Sequence, residues 1–572
     1  MRVNKVYIED FKNLKKFCID IDENQMNTVL LGENATGKSN FIEALVLIFK
    51  HLDLSKDSSR KYPSFKFWIQ YECNGRNITI DYTDKSYNIH IDGEIKQPTF
   101  KFFFSKEGKR MYLPKYVFTY YSGVSNRLDE IFWDHQEIFY NKIIKSDFEI
   151  DELDDLRRLF YVKQIHSFFV LLAFFALPRI EKKSKAFLQD VLGIEDLESV
   201  LFVLKKSKWE NEGGDERFWG ADGLVKEFLS VLWDHSFAPI YETKKVKVDF
   251  RRKETRNRLY LFIKDKKQLK KFAKNYFDFN NEKPSNTFLF KALESTYISD
   301  MLEEVKVTVK KRKDGKVTFK ELSEGEQQLL TVIGLLIFTR EDESLILLDE
   351  PDTHLNPLWK YDYLYYLKTL VKSKDKLENV DSEEEVEIED STTQVLINTH
   401  DPLVIGSMEK SQVRMFGKVA TNGAKVYDDL PKGKFEILMS KSLNKAIEPD
   451  KSPKGMGVAG ILTSEMFGLP TILDKETQIK LNRKRYLQGR IMRETLNTQD
   501  YDEYHKLKAE LEQHGFYEEV EDKWFKEYLS EMSKLEAFEK VDFTEDEKQL
   551  LLDQSKKAAQ RVLQLMKKEN EE

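Results

Sequence analysis

The sequence predicts an α/β fold that carries a helical insertion and a helical C-terminal region. The first 120 residues alternate short β-rich runs with turns, and they contain one strongly amphipathic helix within GENATGKSNFIEALVLIF. Two later runs, SLILLDEP and TQVLINTH, are continuous apolar strands of the kind that parallel sheets bury on both faces. After about residue 470 the chain consists of charged segments with helical periodicity.

Four segments follow from these patterns. Residues 1–124 are expected to form a first α/β lobe, and residues 125–300 a mainly helical insertion with a basic patch. The α/β pattern returns in residues 301–435, after a hairpin whose turn is Asp314-Gly315. Residues 436–572 are predicted to be helical, with apolar stripes on polar helices that suit the docking of a partner.

Composition and charge exclude several classes of protein. Hydrophobic residues make up 41% of the 572 residues, which supports a large folded core. The two cysteines, Cys18 and Cys73, are too few for a disulfide framework and favour a cytoplasmic location. The longest apolar run, Phe168–Leu177, has about half of the ~20 residues that a membrane crossing needs, so we expect a buried helix and no membrane partner.

A phosphate-binding loop is predicted between an apolar strand and the amphipathic helix. Its residues match the pattern G-x-x-x-x-G-K-[ST]. Glycines let backbone N–H groups surround phosphates, Lys38 reaches the β- and γ-phosphates, and the Ser39 hydroxyl can coordinate Mg²⁺. We therefore expect ATP and Mg²⁺ as cofactors. The expected nucleotide-binding residues here are Gly32, Glu33, Asn34, Ala35, Thr36, Gly37, Lys38, Ser39 and Asn40.

A pair of carboxylates follows the apolar strand Leu345–Leu348. Because a buried strand that ends in acids can deliver a carboxylate to a metal, Asp349 is expected to hold Mg²⁺ together with Ser39. Glu350 is then placed to act as the general base that polarises the attacking water. An acidic turn after a strand is the alternative, and the phosphate loop makes it the weaker one.

The string Leu322-Ser323-Glu324-Gly325-Glu326-Gln327-Gln328 opens a helix shortly before the acidic strand. It resembles the signature motif of ABC-type ATPases, the class that includes transporter motors, chromosome-structuring SMC proteins and DNA-repair ATPases. The order of elements agrees: phosphate loop, long insertion, signature, acidic strand, a D-loop-like Asp352–Pro357, and His400 at the position of a switch histidine. The resemblance implies an ABC-type P-loop ATPase head.

The same resemblance implies roles for three further residues. Ser323 and the backbone at Gly325 would grip the γ-phosphate of ATP held by a second subunit, so we expect a dimer or a higher even-numbered oligomer. His400 would assist Glu350 in catalysis. Glu324 stands where transporter motors usually have glycine, a departure that resembles overcoming-lysogenization-defect and recombination-type ATPases.

A basic segment runs from Lys244 to Lys274. It holds fourteen cations against three acids, in a chain whose formal net charge is -7. Tyr260, Phe262 and Phe272 lie among the cations. Clustered cations release counterions from a phosphate backbone, so the segment is a candidate nucleic-acid surface; a solvated helical face is the alternative.

A finer resemblance concerns the C-terminal part of the chain. The segments Gly457–Pro470 and Thr471–Thr477, together with LFYVKQIH and YYSG, are similar to the PtuA family, the ATPases of Septu and retron anti-phage systems. That resemblance implies a regulatory subunit that self-associates and controls a separate PtuB-like HNH nuclease, in some systems together with a retron reverse transcriptase and its DNA. The chain shows no HNH or TOPRIM nuclease pattern of its own.

Three other functions remain open from the sequence. The first is an SMC- or RecF-like DNA-repair ATPase that acts without a nuclease, although the insertion is too short for long coiled-coil arms. The second is a transporter motor, which the insertion and the altered signature disfavour. The third is a binding module whose nucleotide site is inactive.

Overall fold

The structure is a computed structural model of the chain. It describes residues 1–571 except for 23, 57, 124, 126, 146–156, 178–184, 208–213, 248, 335, 337–342, 371–391, 419–433, 494–496, 517–522 and 541–544. The chain divides into two compact units, Met1–Gly457 and Val458–Glu572.

A 12-stranded sheet forms the centre of the first unit. Its strands are β1 (Arg2–Phe11), β2 (Leu14–Asp20), β3 (Asn27–Leu31), β4 (Phe67–Cys73), β5 (Arg76–Thr83), β6 (Ser86–Ile91), β7 (Val117–Tyr121), β8 (Leu159–Val162), β14 (Leu345–Asp349), β15 (Gln394–Asn398), β16 (Val413–Lys418) and β17 (Asn444–Ile447). Their spatial order is β6-β5-β4-β1-β2-β17-β16-β3-β15-β14-β7-β8. The sheet is antiparallel from β6 to β2 and parallel from β16 to β8.

The parallel part of the sheet contains the two apolar strands that the sequence predicts. Every residue of β14 and β15 is buried. Helices cover parallel sheets on both faces, and strands buried in this way have no need of alternating polar residues. Both predicted strands are therefore confirmed.

The helices of the first unit pack on this sheet and on the insertion. They are α1 (Lys38–Leu54), α2 (Phe100–Phe103), α3 (Lys106–Tyr112), α4 (Trp133–Ile143), α5 (Ile165–Ala176), α6 (Gly223–Asp234), α7 (Lys266–Phe279), α8 (Asn286–Ile298), α9 (Glu324–Leu329), α10 (Pro357–Leu370), α11 (Pro402–Ile405) and α12 (Lys434–Ser440). In α1 the predicted apolar face is confirmed, because Phe41, Leu45, Ile48 and Phe49 are fully buried. The apolar run in α5 is a buried helix, as expected.

A second sheet, of five strands, lies in and after the predicted insertion. It comprises β9 (Ile194–Lys205), β10 (Ile240–Lys247), β11 (Lys253–Ile263), β12 (Leu302–Lys311) and β13 (Gly315–Thr318), in the order β10-β11-β9-β12-β13. The hairpin predicted at Asp314-Gly315 is present between β12 and β13. In the described part of residues 125–300, which were expected to be mainly helical, β8 joins the large sheet and β9, β10 and β11 join this one. In β11 the buried residues Leu259, Leu261 and Ile263 alternate at the C-terminal end, whereas the first six residues, Lys253–Arg258, are all polar, and that polar run hides the strand pattern in the sequence.

The C-terminal unit is helical. Its helices are α13 (Gly457–Thr463), α14 (Lys475–Met492), α15 (Thr498–Gln513), α16 (Lys523–Met532) and α17 (Glu545–Glu571). Gly489 lets α14 approach α16 closely, since a Cβ there would lie 2.5 Å from the Leu529 carbonyl oxygen. The predicted boundary at residue 436 lies before β17, which still belongs to the large sheet, so the helical unit begins about twenty residues later.

Among the described residues, no helix combines the length and the apolar character that a membrane span requires.

Candidate functional site

Three parallel strands bring distant parts of the sequence to one edge of the large sheet. The strand β3 leads into the loop Gly32–Gly37, β14 ends at Asp349, and β15 ends at Asn398. Asp349 is opposite Asn398 in the ladder between β14 and β15, and Asn398 is opposite Leu30 in the ladder between β15 and β3. Ligands of open parallel sheets bind at the carboxyl ends of the strands, and here these ends carry the predicted motifs.

The loop from Gly32 to Gly37 needs its glycines. Both have positive φ, 146° at Gly32 and 107° at Gly37, as does Ala35 at 66°. A Cβ on Gly32 would lie 2.8 Å from the carbonyl oxygen of Phe416, and one on Gly37 would lie 2.6 Å from a methyl group of Leu14. A side chain at Gly32 or Gly37 would therefore clash with these neighbours, so the loop keeps its path only with glycine at both positions. The loop leads directly into the N-terminus of α1, an arrangement that suits the binding of phosphates.

The Lys38 ammonium lies over this loop. Its Nζ donates to the carbonyl oxygens of Gly32 at 2.7 Å and Glu33 at 3.1 Å, and the residue is buried. Burial lowers the pKa of Lys38 to about 8, against the opposing effect of the Glu350 and Asp349 carboxylates. A desolvated cation that is held only by loop carbonyls can turn to a phosphate oxygen without breaking an ion pair.

Ser39 and Asp349 meet as the sequence predicts. The Ser39 hydroxyl donates to Asp349 Oδ1 at 3.1 Å, and the Asn398 amide donates to the same oxygen. Within the part of the chain that the structure describes, the other carboxylate oxygen, Oδ2, is buried without a hydrogen-bond partner. Burial raises the pKa of Asp349. A buried carboxylate oxygen that lacks a partner and lies beside a hydroxyl is a donor set that fits Mg²⁺.

Glu350 and His400, the two predicted catalytic residues, are neighbours. His400 Nε2 lies 3.1 Å from Glu350 Oε1. Glu350 has a left-handed backbone with φ of 54°, and its amide donates to the Asn398 carbonyl at 2.9 Å. Burial, with help from the Asp352 and Asp349 charges, raises the pKa of Glu350 to about 8. Burial lowers the pKa of His400.

The segment after Glu350 is fixed from several sides. Thr399 donates to Asp352 Oδ2 at 2.9 Å, and burial raises the pKa of Asp352 to about 6. Gln328, a buried residue of α9, donates to the Glu350 carbonyl at 3.4 Å and accepts from the His354 amide at 2.9 Å. The sequence pattern included Gln328 in the signature string but did not assign it this role.

Ser323 and Gly325 lie at the start of α9. Ser323 caps the helix: its Oγ accepts from the Glu326 amide at 3.2 Å, while Glu326 Oε2 accepts from the Ser323 amide at 2.9 Å. A Cβ on Gly325 would lie 2.5 Å from the His354 carbonyl oxygen, so this glycine lets α9 touch the D-loop-like segment. The structure therefore groups Lys38, Ser39, Asp349, Glu350 and His400 in one site and places Ser323 and Gly325 on the neighbouring helix.

Asn13 contacts the phosphate-binding loop, and the sequence analysis did not predict this contact. Its amide donates to the Ala35 carbonyl at 2.6 Å, and its carbonyl accepts from Asn40 at 2.7 Å. Asn13 lies in the turn between β1 and β2, far from the loop in sequence. A polar residue in a tight turn carries no signal of its own, so only the fold reveals the contact.

The basic segment Lys244–Lys274 extends over β10, β11 and α7. Lys267, Lys271 and Lys274 share one exposed face of α7. Phe272, expected among the exposed aromatics, is buried against Phe228 with ring centroids 5.5 Å apart. Phe272 therefore belongs to the core.

Comparison with known proteins finds a match to one protein family. Residues 193–406 match the family described as "AAA domain, putative AbiEii toxin, Type IV TA system". The matched part includes the signature helix, Asp349, Glu350 and His400, and it supports an ATPase domain of the P-loop class. A search of curated proteins found no match.

Among solved structures, the chain is similar to the crystal structure of an SMC head bound to the C-winged helix domain of ScpA. The two are 10% identical with a TM-score of 0.29, and the comparison covers 73% of this chain and 94% of the other. The assignment of the α/β fold depends instead on the strand order and on the phosphate loop in the structure itself.

Proposed function

We propose that this chain is a Mg²⁺-dependent ATPase of the ABC type. The observation that carries the proposal is the convergence of Lys38, Ser39 and Asp349 at the carboxyl ends of the parallel strands, with Asp349 Oδ2 buried and, among the described residues, without a hydrogen-bond partner. The match to an AAA domain supports the same class of activity.

Each residue of the site has a separate task. The loop amides and Lys38 bind the phosphates of ATP, and the Ser39 and Asp349 oxygens hold Mg²⁺. The metal, when bound, supplies positive charge that neutralises the triphosphate. Glu350 accepts a proton from the attacking water, and His400 holds the Glu350 side chain in place through the 3.1 Å contact. Asn398 orients Asp349 from the next strand.

We also propose that two copies of the chain share the nucleotide, in a dimer or a higher even-numbered oligomer. Ser323 is exposed at the N-terminus of α9, where helix N–H groups favour anions. Gly325 and Gln328 connect this helix to the segment after Glu350, so a contact made by Ser323 would reach the catalytic carboxylate. In this arrangement Ser323 and Gly325 of one copy contact the γ-phosphate held by the other.

The test of the ATPase proposal is phosphate release from ATP by the purified full chain with increasing Mg²⁺. The matched variant Asp349→Asn keeps the shape of the side chain and removes the charge that holds the metal. We expect Mg²⁺-dependent release by the wild type and little release by the variant. Release by the variant at the wild-type rate would contradict the metal role of Asp349, and failure of the wild type to bind ATP would contradict the whole proposal.

For the biological role, we propose a cytoplasmic regulatory subunit of an anti-phage defence complex that controls a PtuB-like HNH nuclease. The support is the sequence resemblance of residues 457–477 to the PtuA family, and a retron reverse transcriptase with its DNA belongs to the partners that this resemblance implies. Purification from the native operon tests the role. A co-eluting small HNH protein supports it, and its reproducible absence favours the alternative, an SMC- or RecF-like DNA-repair ATPase.

Nucleic acid is a further proposed partner, through the basic segment Lys244–Lys274. The exposed stripe of Lys267, Lys271 and Lys274 on α7 supports a surface that contacts phosphates. Such a surface is compatible with both biological roles, so nucleic-acid binding by itself does not separate them.

A further inference from the structure

The hairpin of β10 and β11 extends beyond the sheet to which it belongs. β11 pairs with β9 only over Arg258–Ile263, whereas its ladder with β10 continues from Thr243↔Asn257 to Lys247↔Lys253. At about 3.3 Å per residue, this stretch is a two-stranded ribbon roughly 15 Å long. Within the described residues, β10 is an edge strand and no third strand joins the ribbon.

The cations on one face of the ribbon are neutralised. Arg256 contacts Glu303 at 2.5 Å and Glu254 at 3.3 Å. Lys244, opposite Arg256 in the ladder, lies 3.7 Å from Glu242. Residues opposite each other in an antiparallel pair point to the same side, so these contacts all lie on one face.

The other face, which we call the ribbon face, carries Lys245, Lys247 and Lys253. All three are exposed, and within the described part of the chain none has an ion-pair partner. Lys247 and Lys253 are directly opposite each other in the ladder. Like charges in this position destabilise a hairpin, and a bound polyanion would remove that cost.

An aromatic ring lies at the tip of the ribbon. Phe250 is 82% exposed, and the Arg251 guanidinium lies 4.8 Å from its ring centroid. Asp249 fixes the turn by accepting from the backbone amides of Arg251 at 2.7 Å and Arg252 at 2.8 Å. The turn therefore holds an apolar ring in water beside the Arg251 cation. Apolar side chains in this setting insert between base steps in DNA complexes.

We propose that this ribbon enters a groove of double-stranded DNA, with the ribbon face on phosphates and Phe250 against the base steps. The inference rests on the proposed binding of nucleic acid by Lys244–Lys274 and narrows it to one element and one form of nucleic acid. The major groove of B-DNA, about 12 Å wide, admits a two-stranded ribbon, whereas side chains cannot read the narrow major groove of duplex RNA. A single strand offers phosphates but no groove.

The experiment measures binding of the full chain to a 30-base-pair DNA duplex by fluorescence anisotropy over a range of salt concentrations. Duplex RNA and single-stranded DNA of the same sequence are the competitors. The ribbon variant is Lys245→Gln/Lys247→Gln/Lys253→Gln. A comparison variant removes the same number of charges from α7, the other part of the basic segment, as Lys267→Gln/Lys271→Gln/Lys274→Gln. A circular-dichroism melt of each variant establishes that it is folded.

We expect the ribbon variant to bind the duplex more weakly, with the slope of log affinity against log salt reduced by about 2 to 3, since each lost phosphate contact removes about 0.9. For the α7 variant, the slope of log affinity against log salt should stay above half of the wild-type value. Phe250→Ala should lose about tenfold in affinity with an unchanged slope, because stacking does not release counterions. In the wild-type complex, 2-aminopurine in the duplex should brighten, and with Phe250→Ala it should not.

The results that overturn the inference differ in what else they affect. If the slope of log affinity against log salt falls in the α7 variant and is unchanged in the ribbon variant, the ribbon is not the element that binds DNA. The basic segment then remains a nucleic-acid surface. Tighter binding of duplex RNA or of single strands leads to the same conclusion. If neither variant changes binding, or the wild type binds no nucleic acid, the proposed nucleic-acid function fails as well.

Discussion

His400 Nε2 lies 3.1 Å from Glu350 Oε1, although Glu350 follows the strand β14 and His400 follows the strand β15. The contact exists because β14 and β15 are adjacent and in register, and because Glu350 adopts a left-handed backbone that turns its side chain at the strand end. The carboxyl group that would accept a proton from water is therefore held in place by the imidazole ring of His400. Functional sites often retain backbone strain of this kind.

Removal of the Glu350 carboxylate should separate ATP binding from hydrolysis. Glu350→Gln keeps the shape of the side chain but removes the base, so we expect ATP affinity close to that of the wild type and a fall in single-turnover hydrolysis of about 10²–10⁴-fold. His400→Ala should reduce hydrolysis less, because it removes only a positioning contact. Fluorescent-nucleotide binding and phosphate release measure the two steps. Unchanged hydrolysis by Glu350→Gln would show that another group is the base.

Replacement of Lys38 should act on binding. Lys38→Met keeps the buried aliphatic stem and removes a desolvated charge, so we expect the loop to stay folded while ATP affinity falls by roughly 10- to 100-fold, as for the loss of a charge-assisted hydrogen bond. Lys15→Met, at an exposed lysine paired with Asp10, is the control and should leave affinity unchanged. Isothermal calorimetry with a non-hydrolysable ATP analogue measures the affinity. A full-affinity Lys38→Met variant would remove Lys38 from the phosphate site.

The sequence predicts the parts of this site whose signal is local. The residues Gly32–Ser39 form one contiguous pattern, and Asp349 closes a recognisable apolar strand. Asn13 and Asn398 have no such signal, because their contacts exist only when strands distant in sequence become neighbours. For the same reason a pattern can locate the signature helix and still miss the contacts of Gln328.

The strands that the insertion contributes to the second sheet, β9, β10 and β11, were not predicted, for a different physical reason. Strands are recognised by alternation of polar and apolar residues, and in β10 both faces are exposed beyond Tyr241, so no apolar residues alternate there. The first half of β11, Lys253–Arg258, consists of polar residues, and a polar run of this kind resembles a solvated helix. The alternation of polar and apolar residues therefore does not reveal a polar ribbon that lies outside the core.

Gly325 should tolerate no side chain. In Gly325→Ala the new Cβ would start 2.5 Å from the His354 carbonyl oxygen, a backbone atom that moves only with the whole D-loop-like segment. We expect hydrolysis to fall at least tenfold while binding of ATP to the phosphate loop is kept. Gly417→Ala is the matched control, since among the described residues no atom beyond its chain neighbours lies within 4 Å of its added Cβ and its φ is not positive. Equal activity of the two variants would show that α9 and the D-loop-like segment adjust freely.

The buried ion pair of Glu294 should give the first unit a characteristic dependence on pH. Burial alone would raise the pKa of Glu294, but the charges of His166 and Arg157 outweigh it and lower the pKa to about 2. His166 Nε2 lies 2.7 Å from Glu294 Oε2, and Arg157 Nη1 donates to Oε1. A lowered carboxyl pKa stabilises the fold above the unfolded value of 4.5, and this contribution is lost as pH falls from about 4.5 to 2.

Glu294→Gln should therefore lower the melting temperature strongly at pH 7, by an amount equivalent to about 3 kcal/mol. The difference in melting temperature between wild type and variant should become smaller below about pH 4.5, because the wild type then begins to lose the charge that the variant lacks. Glu198→Gln, at a partly exposed carboxylate that pairs with Lys310 and Lys316, is the control and should show a small difference in melting temperature at every pH. Calorimetric scans at one fixed rate measure the gap. A gap for Glu294→Gln that stays constant from pH 7 to pH 3 would mean that packing of the side chain, and not its ionised form, stabilises this part of the insertion.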